Sequence, residues 1–180
     1  MPLVVIAGAP GAGKTTLLAE LAHLGHHTVS DSAREVIRGR KAIGLSPRPE
    51  PLEFASEVLK RDSAKYQLAL RLDGLVFFER CGLEALAMLQ AAQPDTQSLE
   101  GADAPHFVFH KQVFVLPPWK EIYTTDSERD HSFEHALRVH QDLMKFYPAL
   151  GYKLFEVPRG SVVQRAAFVL RSLTAHAGAA

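Results

Sequence analysis

A glycine-rich loop between an apolar run and a leucine-rich segment constrains this chain more than any other feature. Residues 3–8, LVVIAG, are β-branched and aliphatic, which predicts a strand buried on both faces, as in a parallel sheet. From Lys14 to Leu24, the leucines at positions 17, 18 and 21 share one face, which predicts a helix that Gly25 ends. Clustered glycines between the two elements indicate that the backbone approaches a ligand closely there.

The loop from Gly8 to Thr15 fits the phosphate-binding pattern G-x-x-x-x-G-K-[ST]. Its glycines let backbone N–H groups turn inward onto phosphate oxygens, and the following helix adds the partial positive charge of its N-terminus. We therefore predict a bound nucleoside triphosphate, with Lys14 on the β- and γ-phosphates and the Thr15 hydroxyl on Mg²⁺. The residues predicted to contact the nucleotide are Gly8, Ala9, Pro10, Gly11, Ala12, Gly13, Lys14, Thr15 and Thr16.

Strand and helix patterns alternate along the rest of the chain. The segment HHTVSD predicts a short strand that ends near Ser30 or Asp31. Apolar runs precede Glu79 and Pro117, another lies at YKLFEVP, and helix-favouring segments separate these strands. Helices are predicted over 52–72, 83–92 and 133–147, and Ser161 with Gln164 forms a capping box for a final helix. This alternation predicts an α/β fold, a parallel sheet within a three-layer α/β/α sandwich. We expect the 180 residues to form a single domain, 1–180.

Two acidic residues follow predicted strands, at the edge where ligands gather in parallel sheets. Glu79 ends the run LVFFE and is predicted to hold Mg²⁺; the alternative is a carboxylate that faces solvent or pairs with Arg80. Asp31 is predicted to accept the proton of a substrate hydroxyl or to orient that hydroxyl, although Asp is also a good helix N-cap before SAREVI. Arg34 and Arg80 are predicted to contact the substrate, the alternative for Arg34 being a surface arginine.

The polar segment 119–131 lies between a strand and a helix, the position of a closing lid in small phosphotransferases. Closure of such a lid excludes water and brings positive charge to the phosphates. Arg129 is the predicted lid residue, and it completes a predicted catalytic set with Lys14 and Asp31. The alternative is a solvated arginine at the start of a helix.

Composition limits the other classes of function. The formal net charge of zero disfavours a nucleic-acid partner bound through a bulk positive field. The one cysteine, Cys81, excludes an internal disulfide and fits a reducing compartment. The first apolar run breaks at Gly8, too early for a signal peptide or a membrane span. We expect a cytoplasmic protein with no membrane partner, and the sequence indicates no oligomeric state.

Five segments of the chain resemble the small AAA-type predicted ATPases, compact P-loop proteins related to the ribosylnicotinamide kinase domain. These segments are GAPGAGKTTLL, SDSAREVI, VFFERCGLEAL, VFVLPPWKEIYTTDSERDHSFEHA and LGYKLFEVPRGSVVQRAAFVL. The resemblance implies a P-loop kinase-like fold with five parallel strands in the order 2-3-1-4-5, ATP on residues 8–15 and Arg129 on the lid. It also implies that the adenine lies near 157–161, which includes Pro158. In that family Asp31 is usually Glu, and Glu79 is usually Asp in an Asp-Arg-Gly triplet, so both carboxylates are kept here with a changed reach.

Two hypotheses of different class follow. The first is a phosphotransferase that uses ATP and Mg²⁺ to move the γ-phosphate to a small acceptor, a nucleoside- or nucleotide-like metabolite as the kinase resemblance favours. The second is a regulatory nucleotide-binding ATPase or GTPase switch that acts on no small molecule. The chain lacks the N-K-x-D motif with which G proteins read their base, which disfavours the switch.

Overall fold

The computed structural model describes residues 2–93, 106–123 and 132–177. Strands and helices alternate through most of these ranges. The elements are β1 (Leu3–Gly8), α1 (Lys14–His23), β2 (His27–Val29), α2 (Ser32–Ala42), α3 (Pro51–Ala69), β3 (Val76–Glu79), α4 (Gly82–Ala92), β4 (Gln112–Leu116), a 3₁₀ turn (Lys120–Ile122), α5 (Phe133–Ala149), β5 (Lys153–Glu156) and α6 (Val162–Ala177).

The described strands form one parallel sheet with the order β2-β3-β1-β4-β5. Residues 3–6 of β1 align with 76–79 of β3, and residues 5–8 align with 113–116 of β4. This arrangement confirms the α/β/α class and the strand order that the resemblance implied. Because β1 is the central strand, the loop that follows Gly8 opens at the middle of the sheet's carboxyl edge.

Helices cover both faces of the sheet and make it a three-layer structure. On one face, alternate residues of β1, β3 and β4 pack with Tyr66 of α3 and with Leu143 and Tyr147 of α5. On the other face, the intervening residues pack with α1 and α6 through Leu17, Leu21, Ala166, Val169 and Leu173. The edge strands are shorter than the central one, since β2 has three residues and β5 has four.

Local signals in the sequence explain where the helices begin and end. Gly25 adopts a left-handed φ of 90° and its N–H donates to the Ala22 carbonyl, which ends α1 as expected. The Ser161–Gln164 capping box forms, with backbone N–H to side-chain oxygen distances of 2.9 and 3.2 Å. Helix α3 ends at Ala69, short of the expected residue 72, because the N–H groups of Arg71 and Leu72 bond three residues back in a tight turn.

Candidate active site

The carboxyl ends of β1, β2 and β3 bring the main candidate residues to one edge of the sheet. Gly8 ends β1, Glu79 ends β3, and Asp31 follows β2 by two residues. Strand β3 pairs with both of the other two, so the three ends are neighbours. The sequence therefore brings together, from positions 8, 31 and 79, the groups that surround the phosphate-binding loop.

The loop between β1 and α1 is held by its own lysine. The Lys14 Nζ atom donates to the carbonyls of Gly8 and Ala9 at 2.9 and 3.0 Å. Burial, followed by the nearby Arg80 charge, lowers the pKa of Lys14 to about 8. A bound phosphate would restore the ordinary preference of this ammonium for its charged form, because opposite charges favour each other.

Two loop glycines have conformations that other residues would strain. Gly8 has φ of 141°, and an ideal Cβ there would lie 2.7 Å from the Leu116 carbonyl oxygen. Gly13 has φ of 83°, and its ideal Cβ would lie 2.7 Å from Nη1 of Arg165. The glycines are thus needed both for the turn and for the close approach of neighbouring groups.

The Thr15 hydroxyl and the Glu79 carboxylate meet beside the loop. The Thr15 Oγ1 atom donates to Glu79 at 2.9 Å from Oε1 and 3.1 Å from Oε2. An alcohol and a carboxylate suit Mg²⁺, which prefers oxygen ligands and is usually held by one or two protein oxygens together with phosphates and water. Among the described residues, no group of three or more His, Cys, Asp or Glu side chains could hold a metal by itself.

Asp31 caps a helix, as its alternative interpretation in the sequence suggested, and also lies close to Arg80. Its Oδ1 atom accepts a hydrogen bond of 2.9 Å from the N–H of Ala33 and so caps α2. Its Oδ2 atom lies 3.5 Å from Nε of Arg80. One oxygen therefore caps α2, while the other faces the Arg80 guanidinium.

Arg80 has a strained backbone and a side chain bound by carboxylates. Its φ of 64° is left-handed, a conformation that costs a residue other than glycine roughly 1–3 kcal/mol. Its Nη1 atom donates to Oε2 of Glu84 at 2.7 Å. Burial alone would lower the pKa of Arg80, but the carboxylates of Glu84 and Asp31 raise it, so the guanidinium stays charged. Arg80 is thus oriented mainly by Glu84, whatever further contact it makes with a substrate.

Glu84 extends this network into the core. Its second oxygen accepts a hydrogen bond of 2.7 Å from the Tyr147 hydroxyl, which also lies 3.5 Å from the Cys81 sulfur. Burial raises the pKa of the Cys81 thiol to about 12. The cysteine is therefore an inert core residue at neutral pH, and the chemistry of the site lies with the carboxylates and cations.

A cavity of about 400 Å³ opens beside the loop, between the strand ends and helices α2 to α5. One end carries Lys14, Asp31, Glu79 and Arg80. Its walls are mainly apolar and include Ala33, Ile37, Phe54, Val58, Ala85, Met88 and Val139. This volume falls in the range of small-molecule pockets.

The cavity also contains a buried acid that the sequence analysis missed. Asp62 of α3 is 8% exposed, and burial raises its pKa to about 6. It falls on the stripe of buried residues 55, 58, 66 and 69, where an apolar side chain would be expected. A charged residue on an apolar helix stripe is the signal that would have found it.

The predicted site residues divide into four groups. One group lines neither cavity and consists of Gly8, Ala9, Gly11, Gly13, Thr15 and Thr16. Pro10, Lys14, Asp31, Arg34, Glu79 and Arg80 line the large cavity. Ala12 and Pro158 line a second, much smaller cavity that has none of those residues in its walls. Arg129, with positions 124–131 of the predicted lid, lies outside the described residues. Tyr123, at the described start of the predicted lid, lies against the loop. An ideal Cβ on Gly11 would be only 2.5 Å from its ring.

Comparison with known proteins agrees with this fold. The family model described as an AAA domain matches residues 3–165. A structure of deoxyadenosine kinase from M. mycoides with bound dATP superposes with a TM-score of 0.65 at 15% identity, covering 96% of this chain and 99% of that one. Shikimate kinase from Acinetobacter baumannii in complex with shikimate gives a TM-score of 0.54 at 18% identity, covering 98% and 94%.

No curated protein sequence matches this chain. Within the described ranges, none of the helices has the length and apolar character needed to cross a membrane.

Proposed function

The chain belongs to the AAA domain family, whose model matches residues 3–165, and we propose that it is an enzyme of the following kind. It is a Mg²⁺-dependent phosphotransferase that moves the γ-phosphate of ATP to a small acceptor. The acceptor class is a hydroxyl-bearing metabolite of nucleoside- or nucleotide-like size. A fold shared with a deoxyadenosine kinase and a shikimate kinase is compatible with this class.

One observation carries the proposal: Lys14 and Asp31 line the same 400 Å³ cavity. A regulatory switch needs a nucleotide site and a surface that changes, but it needs no enclosed space beside the γ-phosphate. A kinase needs that space, with a basic group at its mouth to accept the proton of the acceptor hydroxyl. The cavity therefore favours phosphoryl transfer over the switch hypothesis.

Each side chain has a part in the proposed transfer. The loop amides and Lys14 bind the phosphates, and Arg34 and Arg80 orient the acceptor from the cavity wall. The acceptor oxygen forms a bond to the γ-phosphorus while the bond to the ADP oxygen breaks, and Asp31 accepts the hydroxyl proton. Thr15 and Glu79 would hold Mg²⁺, which supplies positive charge that neutralises the phosphates. Arg129 is proposed to add positive charge from the lid.

The first experiment is a measurement of ADP release with ATP and Mg²⁺, alone and with a panel of nucleosides, nucleotides and hydroxylated metabolites. We expect one acceptor class to raise ADP release well above the basal rate and to appear as a phosphorylated product. Nucleotide binding without stimulation by any acceptor would instead favour the regulatory switch.

Substitution of Asp31 by Asn tests the proposed base without disturbing the helix start. Asn is as good an N-cap as Asp, so α2 should keep its cap and the protein its stability. We expect the acceptor-dependent rate to fall by roughly 10²–10⁴-fold while ATP affinity is kept, because the proton acceptor is lost and the phosphate-binding loop is unchanged. The substitution also removes the negative charge that lies 3.5 Å from Nε of Arg80, which Glu84 still binds. Asp31→Ala serves as the control for the cap, with an added loss of about 1 kcal/mol of stability. An unchanged rate in Asp31→Asn would contradict the role of Asp31.

A further inference from the structure

Arg165 of α6 is a buried cation that no part of the proposed mechanism uses. It is 7% exposed, and its Nε and Nη1 atoms have no hydrogen-bond partner among the described residues. Burial lowers its pKa, with no compensating carboxylate among the causes. Buried N–H groups without partners cost stability, so an arginine held in this way indicates a function that needs it.

The position of Arg165 relates it to the phosphate-binding loop. Its Nη1 atom lies against Gly13, so closely that an ideal Cβ on that glycine would be 2.7 Å away. It lies on the stripe of α6 that buries Ala166, Val169 and Leu173 against the sheet, where an apolar residue would pack without cost. The guanidinium thus projects from a core-facing stripe toward the back of the loop.

The indole of Trp119 covers this guanidinium. The Arg165 Cζ atom lies 5.9 Å from the Trp119 ring centroid, at the outer limit of about 6 Å for a cation–π contact. The two side chains line the small cavity with Ala12 and Pro158, and its volume of about 10 Å³ has room for a single water at most. The Nε and Nη1 atoms of this arginine have no hydrogen-bond partner among the described residues, and its aromatic contact is long. Another planar ring could replace that contact.

The nucleotide supplies such a ring on this side of the loop. The large cavity on the other side, with Lys14 and Asp31, is assigned to the acceptor. The small cavity shares none of its lining residues with the large one, although both border the loop. With the acceptor assigned to the large cavity, the side of Ala12, Trp119 and Arg165 is left for the base and ribose.

We propose that Arg165 binds the nucleoside half of the triphosphate, with the base displacing the Trp119 indole from the guanidinium. The unpartnered N–H groups then donate to acceptor atoms of the nucleoside, and Trp119 moves outward as part of nucleotide binding. This inference rests on the proposed function in two respects: the loop must bind a nucleoside triphosphate, and the large cavity must hold the acceptor.

The chain contains one tryptophan, so its fluorescence reports on Trp119 alone. The full-length protein with Mg²⁺ is titrated with a non-hydrolysable ATP analogue and, separately, with inorganic tripolyphosphate. We expect the analogue to change the emission wavelength and tripolyphosphate to bind without changing it, because tripolyphosphate has no base. An identical response to both ligands would overturn the displacement of Trp119.

Calorimetric titration of variants tests Arg165 itself. We expect Arg165→Met to weaken binding of the ATP analogue by about tenfold or more and to leave tripolyphosphate affinity nearly unchanged. Arg171→Met, an exposed arginine on the same helix, is the matched control and should bind both ligands as the wild type does. Trp119→Ala should bind the analogue at least as tightly as the wild type, because the base no longer has to displace the indole.

Thermal unfolding separates this role from a structural one. We expect Arg165→Met to melt at the same temperature as the wild type or higher, because an unpartnered buried charge is removed. A lower melting temperature together with equally weakened binding of both ligands would overturn the inference. If the wild type binds neither ligand, the proposed function fails as well; if it binds both in a Lys14-dependent manner and Arg165→Met binds like Arg171→Met, only the role of Arg165 fails.

Discussion

The Tyr147 hydroxyl is a single polar atom held deep in the core. The residue is fully buried, and its hydroxyl donates to Glu84, which in turn binds Arg80. The desolvated phenol has a pKa raised well above its ordinary value, so it stays a hydrogen-bond donor across the physiological range. A core tyrosine is thereby linked through one carboxylate to a cation that lines the cavity.

Removal of this hydroxyl tests the network. We expect Tyr147→Phe to lower the free energy of unfolding by about 1–2 kcal/mol, because Glu84 loses a buried donor. Urea denaturation of Tyr147→Phe, Glu84→Gln and the double variant forms a cycle in which the coupling should exceed about 0.5 kcal/mol. Additive effects would show that the two groups contribute independently, against the contact described here.

Individual residues of the candidate site differ in how well the sequence predicts them. Lys14 and Thr15 belong to a contiguous motif whose spacing fixes its geometry, so their side chains were predictable. Asp62 and Arg165 are separated from the loop by long stretches of chain and were overlooked as ordinary polar residues of helices. The apolar stripe of α3 gives a sequence signal for Asp62, and the packing of α3 and α6 on the sheet shows that both residues are turned inward.

Two glycines within helices show how one residue type can have opposite effects on an element. Gly82 is in the first turn of α4, where the ring of Phe107 occupies the space of a Cβ. Gly39 is inside α2, where an added Cβ would meet only the Arg61 guanidinium, at 3.8 Å. The first glycine is needed for packing, whereas the second only lowers helix propensity.

Alanine at the two positions should therefore give opposite results. We expect Gly82→Ala to destabilise the protein by about 1–3 kcal/mol through overpacking against Phe107. Gly39→Ala should stabilise it by about 0.5–1 kcal/mol through improved helix propensity. Chemical denaturation of both variants is the measurement, and the same sign of change for the pair would contradict the packing of Phe107 on α4.

The elements themselves were largely predictable because their signals are local. Buried parallel strands read as continuous apolar runs, and caps such as Gly25 and Ser161 mark helix ends. The strand order has no such signal, since it depends on which strands pair at long range; it came from the resemblance and not from periodicity. The end of α3 differed because a tight turn replaced the last helical turn.

For the molecule as a whole, the buried carboxyl of Asp62 makes stability depend on pH. The folded-state pKa of Asp62 is about 6, against an ordinary value of 3.8, with Lys65, Asp31 and Glu84 as its charged neighbours. Between these two values the folded state holds a proton that the unfolded state has lost, so stability falls as pH rises through this window. The fall attributable to Asp62 is about 3 kcal/mol at most, from about 1.4 kcal/mol per pH unit.

Asp62→Asn should remove this dependence. We expect the variant to be more stable than the wild type above pH 6 and to differ little from it near pH 4, where the wild-type carboxyl is protonated. The free energy of unfolding, measured by urea denaturation from pH 4 to 8, tests the prediction. Asp142→Asn, at an exposed position on α5, is the control. If the free energy of unfolding changed with pH in the same way for Asp62→Asn and the wild type, the raised pKa of Asp62 would be contradicted.

The short edge strands have a consequence for aggregation. An exposed sheet edge presents unpaired N–H and C=O groups that can template pairing with another chain, and short or charged edges suppress this. Here β2 offers only His27 to Val29, and β5 carries Lys153 and Glu156 at its two ends. We therefore expect the folded protein to resist amyloid-like association even at high concentration, with its long apolar strands shielded at the centre of the sheet.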